Sequence, residues 1–399
     1  MCSVPRRKSE ERNTMDFTNI RVLLTDGGAR QTLTILHGLK KIGCQVTVLC
    51  SSKFDVCYAS KLPDKKILNE NAAGSYEGFE DFLSSLLRTG EYDVLLPVAE
   101  MTTNKVTRHE EEYKKYVRLA CAPRKAYIQA FNKQNTFQHA MDIGIPCPVT
   151  RRENQSVEDY LSQVEFPIII KPRSGMGSIG FHKFEKREDF WPYIKEHNID
   201  LDQYVLQKFI RYDKYLGAIL FVDQKGNVCM AYADEVLRWF PIDAGTACLI
   251  RSIDNPELLD NSARLLKAMH WQGVAALSFM IDKSDNTPKL QEINGRIPAS
   301  IKLSWQCGFN VAKLLIEMAY DQDVEQYPAN TSFGQLTRHF HADFGWFLKS
   351  PKRFQADPSW FSWKNTKDVV YWKGDLKPWF AYTMSKMTGY QESAKKRRH

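Results

Sequence analysis

The strongest constraint on the fold is a regular alternation of apolar and amphipathic runs near the start of the chain. An apolar run at 20–25 ends in a glycine turn, residues 32–43 have helical spacing and a terminal glycine, and 44–52 are apolar again. A helical run at 79–90 and an apolar run at 92–100 repeat the unit. Since strand, helix and strand in this order require a parallel pair with a crossover, these residues predict a small open α/β domain.

The middle of the chain has a different pattern, which predicts antiparallel strands and separate helices. Residues 205–235 contain apolar strands joined at a turn, DQKGN, and 273–296 form a second hairpin. Helices are expected within 126–150, ending at Gly144, and at 255–271 and 310–320. From about 325 the chain is rich in aromatic and charged residues without long helical or strand-like windows, which predicts an irregular extension packed on the main body.

Charge and cysteine content exclude several classes of protein. The net charge is +8, but residues 1–12 contribute +2 and residues 391–399 contribute +3, which leaves +3 for the body and argues against a nucleic-acid partner. No run approaches the roughly 18 apolar residues of a membrane span, and the N-terminus lacks the apolar region of a signal peptide. Nine scattered cysteines without a C-x-x-C pair predict reduced thiols in a cytoplasmic protein.

A glycine-rich segment, FPIIIKPRSGMGSIGF (166–181), is the first candidate for chemistry. Lys171 ends its apolar run, and a lysine at the base of a flexible loop suits an anionic ligand. Backbone N–H groups at glycines can approach phosphate oxygens, and serines add hydroxyl donors. The groups concerned are Gly175, Gly177, Gly180, Ser174 and Ser178. The alternative from the residues alone is a plain hairpin turn.

The segment LQEINGR (290–296) is the second candidate. Alternate residues of a strand face the same side, so Glu292 and Asn294 present two oxygen-bearing side chains together. Such ligands suit Mg²⁺, which also takes phosphate oxygens and water. Arg296 follows on the same face, where a guanidinium can bind a phosphate or stabilise developing negative charge. The alternative is a solvated strand face.

Taken in order, Lys133, FPIIIKPRSGMGSIG, VLQKFI and LQEINGR followed by ASIKLSWQCGFN closely resemble the ATP-grasp family over about 20–320. The resemblance implies an N-terminal Rossmann-like domain and then two α+β subdomains that clamp ATP, with Mg²⁺ or alternatively Mn²⁺. It also implies activation of a small-molecule carboxylate as an acylphosphate and attack by a nucleophile, an amine before a thiol. The expected divisions are a flexible segment (1–18), the first domain (19–121), the ATP-grasp domain (122–323, with a lid subdomain at about 150–210) and a C-terminal extension (324–399).

The resemblance also implies roles for particular residues. Lys133 and Lys171 would contact the phosphates of ATP, with Lys171 and Arg296 taking part in catalysis, and the loop 174–180 would close over the phosphates. The adenine would be bound by the hinge, which comprises Gln207, Lys208, Phe209 and Ile210, and the ribose by Asp213. Glu292 and Asn294 would ligate the metal. Arg296, Ser300 and Arg251 would face the substrate.

The sequence departs from the family pattern at two places that keep other functions open. Ser278 occupies the strand position where the family commonly has an acidic metal ligand, with Asp282 four residues further on, and the hinge has Lys208 where a glutamate is usual. One alternative is therefore an ATP-binding regulatory protein with reduced catalysis. Another is a phosphotransferase that acts on a hydroxyl. Because ligases of this kind are often dimers, a homodimer is also kept open.

Overall fold

The first domain is an open parallel sheet, as its alternating pattern predicts. The structure is a computed structural model, and it describes residues 15–175, 180–242, 245–330 and 332–385. The elements of this domain are β1 (Arg21–Leu24), α1 (Arg30–Lys41), β2 (Gln45–Cys50), α2 (Val56–Ala59), β3 (Lys65–Leu68), α3 (Phe79–Leu87), β4 (Val94–Leu96), α4 (Glu100–Arg108), α5 (Glu110–Tyr113) and β5 (Arg118–Leu119). The strand order is β3-β2-β1-β4-β5, and every pair is parallel.

The three central strands, β1, β2 and β4, are buried on both faces, which explains why they are continuous apolar runs rather than alternating ones. Val22 and Leu24 pack on one face against α1, whereas Leu23 packs on the other face against α3. Residues 15–18, predicted to be part of a flexible segment, also contact this core, because Met15 and Phe17 pack against it.

Four α-helices and a small three-stranded sheet follow in the described chain. The elements are α6 (Arg124–Phe131), α7 (Lys133–Asp142), α8 (Val157–Gln163), β6 (Ile168–Pro172), β7 (His182–Phe184), α9 (Phe190–Glu196) and β8 (Tyr204–Lys208). The strands are antiparallel in the order β7-β6-β8 and have a separate apolar core. The single helix predicted within 126–150 is wrong in detail, because the chain breaks at Asn132, whose side chain caps α7 by accepting from the N–H of Gln134.

A seven-stranded sheet forms the floor of the remaining chain. Its order is β13-β12-β9-β10-β11-β14-β15, and all neighbours are antiparallel except the last pair. The elements are β9 (Tyr212–Val222), β10 (Val228–Phe240), β11 (Thr246–Ile253), α10 (Pro256–Ala268), β12 (Gly273–Asp282), β13 (Pro288–Asn294), α11 (Lys302–Gln306), α12 (Val311–Ala319), β14 (Leu336–Arg338), α13 (Phe340–Lys349) and β15 (Thr366–Asp368). The predicted hairpins and helices of this region are confirmed.

The C-terminal region is more regular than its composition predicts. The expectation that it lacks helix is wrong, since α13 spans ten residues and residues 377–385 are helical. Strands β14 and β15 extend the large sheet, so the predicted boundary at residue 323 divides one sheet. A buried cluster holds the region in place: the Asp343 carboxylate lies 3.1 Å from an Arg238 nitrogen and 3.2 Å from an Arg338 nitrogen. No helix in the described part of the chain is long and apolar enough to cross a membrane.

Candidate active site

A cleft of about 290 Å³ opens above one face of the large sheet, where the sheet meets the start of α1. Its floor comes from strands β9 to β13, and its edge comes from residues 298–300 and the C-terminal region. Four of the residues selected from the sequence line this cleft: Glu292, Asn294, Arg296 and Ser300. The spacing of LQEINGR therefore places its polar side chains in one cavity.

The three polar residues at the end of β13 form a hydrogen-bonded series. Asn294 Nδ2 donates to Glu292 Oε1 at 3.1 Å, and Arg296 donates to Asn294 Oδ1 at 3.1 Å. Ser278 on β12 stands directly opposite Glu292 in the strand register. The described residues contain no cluster of three or more His, Cys, Asp or Glu side chains suited to a metal. The protein therefore offers a carboxylate and an amide oxygen here, a set that fits a cation completed by phosphate and water.

The first domain contributes Glu100, a residue that the sequence patterns did not select. Glu100 begins α4, and its Oε2 atom lies 3.7 Å from Arg296 Nε. Burial raises the pKa of the Glu100 carboxyl, while the Arg296 guanidinium partly offsets that shift. The contact fixes the guanidinium between the two domains, so Arg296 is positioned by both.

Lys171 lies at the end of β6, beyond the residues that line the cleft, and is only 7% exposed. Its ammonium is 3.4 Å from the carbonyl oxygen of Gln291 and 4.6 Å from the centre of the Phe137 ring. Burial lowers the pKa of Lys171 from 10.5 to about 7, and the nearby Glu292 carboxylate opposes the shift. No described carboxylate lies within salt-bridge distance of this buried amine, so the Glu292 carboxylate offsets only part of the cost of its burial.

Lys133 connects α7 to the glycine-rich segment. Its backbone N–H donates to the Arg173 carbonyl at 2.7 Å, and its Nζ atom donates to the Gly175 carbonyl at 2.9 Å. Ser174 is exposed beside it. Gly175 has a φ of +113°, a conformation that side chains rarely adopt. Gly180, also selected, is exposed and has a φ of +76°. Gly177 and Ser178 lie outside the described residues.

Some of the hinge N–H groups are already used within the protein. The Lys208 N–H donates to the Val149 carbonyl at 2.8 Å, and the Phe209 N–H donates to the Pro167 carbonyl at 2.9 Å. The Gln207 side chain donates to Thr150, so it too is engaged. Among the described residues, the Ile210 N–H has no acceptor, which makes it the hinge amide that can bind a ligand.

Two further residues selected from the sequence, Asp213 and Arg251, also do not line the cleft. Asp213 is exposed near the start of β9 and does not line it. Arg251 donates to Glu235 at 2.7 Å, and its neighbour Ile250 lines the cleft. Because successive side chains of a strand point to opposite faces, Arg251 lies on the other side of the sheet. Neither position lends support to the predicted role.

Two further charged residues line the cleft although sequence patterns did not select them. Arg30 begins α1, and Asp234 lies in the middle of β10. One signal for Asp234 exists in the sequence, since a carboxylate stands among apolar residues in CMAYADEV. Arg30 has no such signal, because its approach to the cleft depends on how the first domain packs on the large sheet.

Residues 130–300 match the family model of an ATP-grasp domain. The matched range contains the three-stranded sheet β7-β6-β8 and most of the large sheet. It also includes Lys133, Lys171 and Glu292. The chain therefore contains an ATP-grasp domain, preceded by a parallel α/β domain. The fold expected from the resemblance is confirmed.

Known proteins with related sequences support this assignment at low identity. The chain is 23% identical over 243 residues to a carbamoyl-phosphate synthase of Methanobrevibacter smithii, covering 56% of this chain and 60% of that protein. It is 23% identical over 190 residues to a D-alanine–D-alanine ligase of Caldicellulosiruptor bescii, covering 44% and 52%. The matches thus span roughly half to three fifths of these relatives.

Solved structures share the fold over most of the chain. A biotin carboxylase domain dimer of Hydrogenobacter thermophilus 2-oxoglutarate carboxylase, with MgADP and bicarbonate, has a TM-score of 0.68 at 14% identity, covering 81% of this chain and 74% of that one. Biotin carboxylase of Campylobacter jejuni gives 0.66 at 16%, covering 79% and 73%. N5-carboxyaminoimidazole synthetase of Staphylococcus aureus gives 0.60 at 16%, covering 79% and 81%.

Proposed function

We propose that this protein is an ATP-dependent ligase that activates a small-molecule carboxylate as an acylphosphate for attack by an amine. The proposal depends on one observation: cationic side chains lie close to oxygen ligands of the kind that bind a divalent cation. Cations from α7 and β6 stand next to a strand end that offers oxygen ligands and a guanidinium. A triphosphate with a divalent cation is the ligand that satisfies all of these groups.

The residues fit a magnesium ion bound together with a nucleotide. Glu292 and Asn294 would hold it through side-chain oxygens, and manganese accepts the same ligands. When bound, the ion would offset the negative charge of the phosphates. Since the described protein supplies few acidic ligands here, the phosphates and water must complete the coordination shell.

The protein's own groups account for the charge that moves in the reaction. A carboxylate oxygen of the substrate attacks the γ-phosphorus, and the bond to ADP breaks. The amine then attacks the acyl carbon, inorganic phosphate leaves with the electron pair, and the amine loses a proton. Lys171 and Arg296 would hold the phosphoryl and acyl oxygens during these steps. Phosphate charge beside Lys171 would raise its pKa again, so that the ammonium is present when needed.

The proposal is tested by following one oxygen atom. A screen over carboxylate and amine pairs would measure ADP release with MgATP, and an active carboxylate would then be labelled with ¹⁸O. Ligase chemistry transfers one ¹⁸O atom from the carboxylate to inorganic phosphate and forms an amide. Lys171→Ala should abolish both signals, whereas Lys225→Ala, at an exposed turn, should retain them. ADP release that survives unchanged in Lys171→Ala would contradict the assigned role.

A regulatory protein that binds ATP without turnover is the second candidate, and Ser278 favours it. This residue faces Glu292 in the register, so the metal gains a hydroxyl rather than a second carboxylate from the neighbouring strand. That candidate predicts MgATP binding with no ADP release for any substrate pair. A phosphotransferase would give a phosphorylated alcohol and no ¹⁸O in phosphate. The homodimer and the cytoplasmic location expected from the sequence stay predictions.

A further inference from the structure

A row of residues crosses the floor of the cleft on four neighbouring strands. Asp234 on β10 is paired with Gly217 on β9, Gly217 with Ser278 on β12, and Ser278 with Glu292 on β13. Directly opposed residues of antiparallel strands project to the same face. The row therefore has a carboxylate at each end, and small residues between them leave room for a ligand.

The carboxylate of Asp234 is buried, and no described partner offsets the cost of removing it from water. The residue is 4% exposed and lines the cleft, and within the described part of the chain it has no hydrogen-bond or salt-bridge partner. Burial alone raises the pKa of Asp234 to about 7. The titratable groups beside it are Tyr215, Tyr232 and Cys307, and burial raises the pKa of each. No neighbouring cation therefore stabilises the ionised carboxylate.

Because Gly217 has no side chain, it leaves room for the Asp234 carboxylate. A Cβ atom at Gly217 would lie 2.4 Å from Asp234 Oδ1, closer than any real contact. A glycine within a strand weakens the strand, so its presence here indicates that another group needs the space. The pair holds the Asp234 carboxylate against the floor of the cleft.

The cleft also contains positively charged side chains, which do not pair with Asp234. Arg30 and Arg296 both line it, and Arg30 Nε is buried without a hydrogen-bond partner among the described residues. Neither guanidinium contributes to the pKa shift of Asp234, which has burial as its sole cause. The cleft thus presents separated anionic and cationic groups, a pattern that matches a ligand carrying both charges.

We propose that Asp234 binds a cationic amine of the carboxylate substrate, whose carboxylate points toward Arg296 at the other end of the row. This inference rests on the proposed function and specifies the substrate class. Three strand spacings of about 4.8 Å separate the two ends of the row, or roughly 14 Å between Cα atoms. An amino group several bonds from the reacting carboxylate bridges this length better than an α-amino group does.

The test compares carboxylates that differ by one ammonium group. Dissociation constants would be measured calorimetrically, with magnesium and a non-hydrolysable ATP analogue present. The probes are 4-aminobutanoate against butanoate, 5-aminopentanoate against pentanoate, and lysine against norleucine. The variants are Asp234→Asn and Gly217→Ala. The matched control is Glu235→Gln, which alters the next residue on the opposite face.

We expect at least one amino acid to bind about tenfold or more tightly than its partner without the amine, as a charge-assisted hydrogen bond requires. Asp234→Asn and Gly217→Ala should reduce that ratio to about one, and Glu235→Gln should preserve it. Equal binding within every pair, absence of binding by all amines, or a ratio retained in Asp234→Asn would overturn the inference. Failure of the wild-type protein to bind the ATP analogue would instead refute the proposed function.

Discussion

Replacing Lys171 with methionine is expected to stabilise the fold and weaken ATP binding at the same time. Lys171 is buried, has no described salt-bridge partner and has a pKa lowered by burial from 10.5 to about 7. Methionine has a similar length and needs no solvation, so it removes the cost of burying an amine that is charged in the unfolded chain. The same substitution removes the proposed contact between Lys171 and the phosphates of ATP, so ATP should bind more weakly.

The magnitude follows from the two pKa values. A base whose folded pKa is depressed destabilises the fold at low pH, and the penalty disappears as pH rises through the unfolded value. For 10.5 and about 7 the penalty is about 4 kcal/mol at pH 7 and about 2 kcal/mol at pH 9. The cation–π contact with the Phe137 ring requires the ammonium, so its loss costs up to about 1 kcal/mol at pH 7 and almost nothing at pH 9, where the folded lysine is neutral. The net gain is therefore about 3 kcal/mol at pH 7 and about 2 kcal/mol at pH 9.

Two measurements check this prediction. Urea unfolding followed by tryptophan fluorescence would compare the wild type with Lys171→Met between pH 7 and pH 9, without nucleotide. Calorimetry would give MgATP affinity, which should fall roughly 10- to 150-fold for a lost hydrogen bond to a charged group. Lys225→Met, at an exposed lysine in the turn after β9, should change neither quantity appreciably.

The reasoning would be refuted by either of two results. One is an ATP affinity that remains at the wild-type value in Lys171→Met, which would place the phosphates elsewhere. The other is a variant that is less stable than the wild type at pH 7, or a stability difference that does not shrink toward pH 9. That second outcome would mean that the buried ammonium is compensated in the folded protein.

Three further substitutions test the proposed metal ligand, the hinge and the buried ion cluster one at a time. Glu292→Gln should weaken MgATP binding more than tenfold and leave metal-free ATP nearly unaffected, and calorimetry with and without magnesium would detect an equal loss as a contradiction. Ile210→Pro removes the hinge N–H that is free among the described residues, so ATP should bind more weakly while inorganic tripolyphosphate binds as before; a parallel loss would exclude adenine binding there. Asp343→Asn leaves two buried arginines without their counter-ion and should cost about 3–5 kcal/mol in urea unfolding; an unchanged midpoint would refute this.

Sequence patterns predicted the parts of the molecule that depend on local spacing. The strand at 290–294 fixes the relative direction of Glu292 and Asn294, because side chains alternate regardless of what packs around them. The glycines that follow helices were also predictable, because a left-handed backbone conformation at a helix end favours glycine. Gly144, with a φ of +72°, is an example. These features are properties of a few consecutive residues.

What the sequence did not reveal depends on contacts between distant segments. Glu100 reaches Arg296 because the first domain packs against the strand end, a separation of nearly two hundred residues. Asp234 gains its significance from Gly217, which is its neighbour in the sheet and not in the chain. The helix α13 was missed because aromatic residues recur along it without a clear apolar stripe. Phe340 and Phe344 of the helix contact each other and Trp360 of the segment that follows it.

Buried charges in this protein fall into two groups, and the difference between them locates the site. Arg238 and Arg338 are paired with Asp343 by salt bridges. Lys171 and Asp234 form no salt bridge with a described residue, and burial moves the pKa values of both to about 7 from opposite directions. A fold gains nothing from an unpaired buried charge, so retention of both indicates ligands that supply the missing partners. Under the proposed function, phosphate is the anion beside Lys171, and the inferred amine is the cation beside Asp234, so the two proposals together define one orientation of the substrate.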